Sequence, residues 1–201
     1  MKFAISAVSF FSLAVFSSAQ PRAEYEIDCG VYGDGEIKLQ NGRMSLELDL
    51  DNLDDVVDSV GDTLGYHLHT TWVNAAHSSL TECGADFTGG HYDPTYKCGP
   101  ASEAKDDSQC TNANYECNTN HPYKCERGDL SGKYGALVVQ NDWTATLTIT
   151  GDKQGATMQD FVADNTVRDA GVWSSLVFHD LNKEGERVLC CKILMEEESM
   201  D

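Results

Sequence analysis

The chain has 201 residues, 41% of them hydrophobic, and a formal net charge of -19 from 33 acidic against 14 basic side chains. Nucleic acid and anionic membrane surfaces would both repel so acidic a protein, and both are excluded as partners. The acidity itself suits a protein kept soluble at high concentration.

At the N-terminus, Lys2 precedes an apolar run from Phe3 to Phe16 and then Ser17-Ser18-Ala19. A basic start, a short apolar core and small residues before a cleavage point read as a signal peptide over residues 1–19, with residues 20–201 forming one exported domain. The run is too short for a membrane-spanning helix, which needs about 20 apolar residues. All eight cysteines lie beyond it. An even number of cysteines in an exported chain is read as disulfides before metal thiolates, so four disulfides and an extracellular location are expected.

Beyond the leader, short apolar and β-branched runs alternate with Gly, Asn and Asp, which is the pattern of strands joined by turns. The expected strands are 24–30, 35–40, 43–49, 64–71, 134–140, 143–150, 173–179 and 187–194. Asn41-Gly42 and Asn141-Asp142 supply turn residues between the second and third and between the fifth and sixth. A weak helical pattern covers 52–60. The Asp-rich stretch 49–55 does not make an EF-hand, because the sixth and twelfth places hold Asp54 and Val60 instead of Gly and Glu. Eight strands in one domain predict an all-β, antiparallel sandwich or barrel.

Residues 72–133, between the fourth and fifth strands, form a long loop with five cysteines. A loop of that length is pinned, functional or both. Cys98, Cys110, Cys117 and Cys125 are expected to form two disulfides, with three pairings open. A zinc cluster from Cys110, Cys117, His121 and Cys125 is the competing reading, disfavoured because exported thiols are normally oxidised.

Histidine occurs six times, at 67, 69, 77, 91, 121 and 179. His67-Leu68-His69 places two imidazoles on one face of a strand, where they can chelate one metal ion. Around them, Gly65-Tyr66-His67-Leu68-His69, Gly90-His91-Tyr92-Asp93-Pro94, Gly128-Asp129-Leu130-Ser131-Gly132 and Ser175-Leu176-Val177-Phe178-His179 follow in order. These segments resemble the copper/zinc superoxide dismutase family, in its motifs Gly-Phe-His-Val-His, Gly-Pro-His-Phe-Asn-Pro, Gly-Asp-Leu-Gly-Asn and Ser-Leu-Val-Val-His.

The resemblance implies an eight-stranded Greek-key fold with His67, His69, His91 and His179 as copper ligands. It also implies a Cys83–Cys190 disulfide, which leaves Cys29 and Cys191 for each other, and Arg187 as the residue that guides superoxide to the metal. Where two further zinc histidines belong, the chain has Cys98 and Glu126, so zinc is not expected. The segment from Glu126 to Gly135 resembles the copper-only branch, in which a glutamate takes the place of zinc behind the bridging histidine; Glu126 and Asp129 are then the carboxylates behind the ligands. Only seven residues separate His179 from Arg187, which leaves no room for the family's long electrostatic loop.

The cysteine-rich loop is also similar to molluscan haemolymph proteins of superoxide-dismutase type, the pernin, cavortin and dominin group, through Gly89 to Pro94 and Cys98-Gly99-Pro100-Ala101-Ser102. The implied activity is copper-dependent conversion of superoxide to oxygen and hydrogen peroxide. The alternative is a non-catalytic secreted metal-binding or carrier protein on the same fold. Assembly into a homo-oligomer is left open by the sequence.

Overall fold

The computed structural model describes residues 23–40, 43–72, 83–110, 114–150 and 172–195. Its strands are β1 (Ala23–Asp28), β2 (Gly33–Gln40), β3 (Arg43–Leu50), β4 (Thr63–His69), β5 (Leu137–Val138), β6 (Ala145–Thr150), β7 (Val172–Asp180) and β8 (Glu186–Met195). All pair antiparallel in one sheet of order β5-β4-β7-β8-β1-β2-β3-β6. The end strands β5 and β6 touch each other, so the sheet is nearly closed into a barrel. Across that seam β7, β4, β5 and β6 lie side by side in the order of a Greek key.

The alternation of each strand explains the interior. Tyr25 and Ile27 of β1, Leu46, Leu48 and Leu50 of β3, Tyr66 and Leu68 of β4, and Leu176 and Phe178 of β7 all face one core. Their neighbours face outward. On β1, β2 and β3 the outward positions line up like charges across strands, Glu26 beside Glu36 beside Glu47 and Asp28 beside Asp34 beside Asp49.

Disulfides staple the barrel from both sides. Cys191 pairs with Cys29 inside the core. Cys190, the next residue on β8, pairs with Cys83 in a small outer cluster with Val177 and Trp72. Within the loop the pairs are Cys98–Cys110 and Cys117–Cys125, and no cysteine among the described residues is free. The loop therefore has no thiolates for a zinc cluster. Four disulfides fit an extracellular protein. Among the described residues no helix is long and apolar enough to cross a membrane. The expected leader 1–19, the Asn41-Gly42 pair and His77 lie outside the described residues.

Two local expectations are corrected. The fifth strand, expected over 134–140, is only Leu137–Val138, because a short helix ends at Tyr134. Of the two α-helices among the loop's described residues, α1 (Ala85–Thr88) and α2 (Leu130–Tyr134), the second is capped by Asp129, whose side chain accepts from the Gly132 N–H at 2.7 Å. A cap of this kind satisfies a first-turn amide that a strand would leave unpaired. Over 52–60 there is no α-helix, only a 3-10 turn at Leu53–Asp55.

A short β5 has a structural consequence. It pairs only with Thr63 and Leu64, so the same edge of β4 is open from Gly65 onward. The long loop takes that edge. Leu68 N–H donates to Gly128 O and Leu68 O accepts from Tyr92 N–H, while Thr70 N–H donates to Gly90 O. This second pairing lays residues 88–92 and 126–129 along the open edge of β4.

Candidate metal centre

Outward positions of β4 and β7 present three histidines on one face. His67 and His69 are alternate residues of β4, and His179 of β7 lies opposite Gly65 in the register. The loop edge described above delivers His91, which bridges to His69. The four imidazoles offer ligand atoms that all lie within 4.8 Å of one another.

The tautomers follow from what stands behind each ring. His69 Nδ1 lies 3.1 Å from Gly89 O, and His179 Nδ1 lies 2.9 Å from Gly185 O. His91 Nδ1 lies 2.7 Å from Glu126 Oε2. His67 Nε2 lies 3.4 Å from Asp129 Oδ1 and 3.1 Å from the Ser131 hydroxyl. Carbonyls and carboxylates only accept, so each of these ring nitrogens carries the proton. The opposite nitrogens then hold lone pairs, and they converge: His67 Nδ1, His69 Nε2, His91 Nε2 and His179 Nε2.

The buried His67 Nδ1 and His91 Nε2 have no hydrogen-bond partner. His69 Nε2 and His179 Nε2 face each other at 3.4 Å, with both protons already committed on the far side. Four inward lone pairs without a donor are costly in a buried site, and a cation answers them. The four-histidine cluster can therefore bind a metal ion.

Electrostatics favour the neutral form of His67, His69 and His179. Burial pushes His69 well below the usual histidine range and His179 down to about 3, and it lowers His67 despite the opposing pull of Asp129. Burial also raises the Glu126 carboxyl, against the pull of His91. For Asp129 burial works against ionisation, but hydrogen bonds from His67, Tyr115 and the Gly132 N–H outweigh it and hold the carboxyl well below its ordinary value.

A pH dependence follows. In the unfolded chain these histidines titrate near their ordinary value of about 6.5. As pH falls from there toward 3, the unfolded chain takes up protons that the folded protein refuses, so stability of the metal-free protein declines through that window. Urea midpoints of the metal-free protein should be lower at pH 5 than at pH 7, with a smaller drop in His179→Gln; equal drops in the two proteins would show that His179 does not contribute.

Arg187, on β8 beside His179 in the register, reaches over the same face. Its guanidinium donates to Cys83 O at 3.2 Å, to the Thr88 hydroxyl and to Gly89 O at 3.0 Å. These partners are neutral, so its charge is not cancelled by a carboxylate among them. Gly89 O thus holds both Arg187 and the His69 Nδ1–H. The Cys83–Cys190 disulfide fixes the loop end that carries these acceptors.

The structure brings His67, His69, His91, His179, Glu126, Asp129 and Arg187 together on one face. Cys98, which stands at an expected zinc position, is committed to Cys110. Cys117, Cys125 and Asp129 also lie close enough to share an ion, but the two sulfurs are bonded to each other. His121 is exposed, and its ring meets Asn118 and Tyr123 and not the histidine cluster. Sequence reasoning did not find Tyr115, Ser131 or the carbonyls of Gly89 and Gly185. A carbonyl has no sequence signature, and Tyr115 sits in a loop without periodicity. The chain matches no protein-family model and no curated protein sequence.

Proposed function

We propose that the chain is an extracellular copper-dependent superoxide dismutase of the copper-only type. The observation that carries the reading is the inward convergence of four histidine lone pairs, each fixed by an acceptor behind its ring. An all-imidazole set with no thiolate suits Cu(II), which also stands at the top of the divalent affinity order. Zinc is not assigned a place here, because Glu126 stands behind His91 where a second metal would otherwise orient it.

Copper, when bound, supplies one-electron chemistry: one superoxide gives up an electron to become oxygen, and a second gains one and two protons to become hydrogen peroxide. The chain's own residues do the rest. Arg187 offers the anion a positive charge at the mouth of an otherwise acidic protein, where a local field can focus a ligand that the net charge repels. The pair His91 Nδ1–H and Glu126 Oε2 holds a proton close to the site. Asp129 and Glu126 keep His67 and His91 in one tautomer and orientation.

Arg187→Ala should lower kcat/KM for superoxide roughly tenfold or more and weaken its salt dependence, while copper stays bound. Copper lost together with activity would instead make Arg187 a structural residue. The reading as a whole is tested on the purified full chain exposed to copper and zinc together. One copper per chain, no stoichiometric zinc and rapid superoxide turnover are expected. Tight copper without turnover would replace the enzyme by a secreted copper carrier, and no copper uptake would sink both.

A further inference from the structure

Tyr115 belongs to none of the motifs by which the site was read, yet its hydroxyl is where two hydrogen bonds meet. It donates to Asp129 Oδ2 at 2.6 Å and accepts from the Glu126 backbone N–H at 3.0 Å. A phenol has one proton to give and lone pairs to receive, so both bonds form at once. Asp129 uses its other oxygen toward His67, and Glu126 uses Oε2 toward His91. An unbroken path of contacts therefore runs from His67 through Asp129, Tyr115 and Glu126 to His91, behind the ring of ligands.

We propose that Tyr115 is a positioning residue of the metal centre, whose hydroxyl ties the Asp129 carboxylate to the Glu126 backbone and so fixes the two ligand-orienting residues relative to each other. The proposal rests on the metal-centre reading above and adds to it a residue from the cysteine-rich loop. That loop is shaped for the purpose. Tyr115 lies between the Cys98–Cys110 and Cys117–Cys125 bridges, which limit how far its backbone can move.

Two glycines let the loop close onto the carboxylates. A Cβ at Gly99 would lie 2.2 Å from Glu126 Oε1 and 3.3 Å from the Tyr115 ring. A Cβ at Gly132 would lie 2.2 Å from Cys117 Sγ and 2.5 Å from Asp129 Oδ2. Burial first, and then the charges of Asp129 and Glu126, raise the Tyr115 phenol far above its ordinary value. The hydroxyl accordingly remains a donor throughout the physiological range.

Tyr115→Phe removes the hydroxyl and keeps the ring. Cu(II) is the probe, read by competition titration and by electron paramagnetic resonance of the loaded full chain, with exposed Tyr123→Phe as the control. Tyr115→Phe should lower Cu(II) affinity roughly tenfold or more and change the nitrogen couplings of the spectrum. Tyr123→Phe should change neither. Parent-like affinity and spectrum in Tyr115→Phe would overturn the proposal, as would a variant that is merely less stable but gives the parent spectrum when folded.

Failure of the metal-centre reading would look different, since the parent itself would take up no Cu(II). The ring nitrogens of His67 and His91 in the metal-free protein then decide: Tyr115→Phe should shift their nitrogen-15 resonances, and unmoved resonances overturn the proposal. Should Tyr115→Phe fail to fold, the hydroxyl proton of Tyr115 in the parent decides, since a proton held by Asp129 exchanges slowly with water. Rapid exchange would overturn the assignment.

Discussion

Glu126→Gln is expected to weaken Cu(II) binding, superoxide turnover or both by about 10–100-fold, the usual cost of disturbing the partner behind a ligating histidine. The size of the effect comes from the setting of the carboxylate. Glu126 is fully buried, and it accepts the His91 proton through Oε2 at 2.7 Å. A glutamine amide has one oxygen, so keeping that bond places its NH2 group where Oε1 now sits. Oε1 has no partner and lies against Gly99, so the introduced donor would be buried without an acceptor. Turning the amide over instead sets two donors against each other at His91. Either way the imidazole loses its charged acceptor. Copper affinity and turnover both equal to those of the parent would show that Glu126 does not take the place of a second metal.

Removing the inner staple should have the largest effect on stability. In the double variant Cys29→Ala, Cys191→Ala the remaining Cys83–Cys190 bridge still shortens the loop, from the 162-residue separation of the two cysteines in sequence to an effective loop of about 55 residues. The chain-entropy estimate for such a loop is roughly 4 kcal/mol, a large part of the about 5–15 kcal/mol that holds a typical domain folded. For a domain of this size a Tm lower by roughly 8–16 °C is expected. Both sulfurs are buried in the core, so alanine adds a small cavity to the loss. A thermal melt within 2 °C of the parent would show that the bridge contributes little beyond the packing around it.

Much of the fold was legible because strand alternation is a local signal. Ile27, Leu46, Leu48, Tyr66, Leu68 and Phe178 each alternate with outward residues, and each stands in the core. His67 and His69 were legible for the same reason, and His179 through the motif around it. The fifth strand was not, because the capping bond of Asp129 to Gly132 competes with strand pairing at Leu130–Tyr134. The loop pairings, Cys98 with Cys110 and Cys117 with Cys125, depend on where the loop lies against β4, and sequence spacing does not encode that. Tyr115 is the clearest case. Its role exists only once Asp129 and Glu126, 14 and 11 residues away, are folded back onto its hydroxyl.

The neighbouring sulfurs of Cys190 and Cys191, one outside the barrel and one inside, bear on how this chain can be oxidised. Successive residues of a strand point to opposite faces, so exchanging their partners would require β8 to slip by one residue and turn every core side chain on it outward. Before β8 has paired with β7 and β1, nothing distinguishes two thiols a single residue apart, and bridges made then trap the slipped frame. Thiol–disulfide exchange can undo such an error while a free thiolate is present. Productive maturation therefore has sheet assembly ahead of the final oxidation, with the strand frame acting as the template that selects between adjacent thiols.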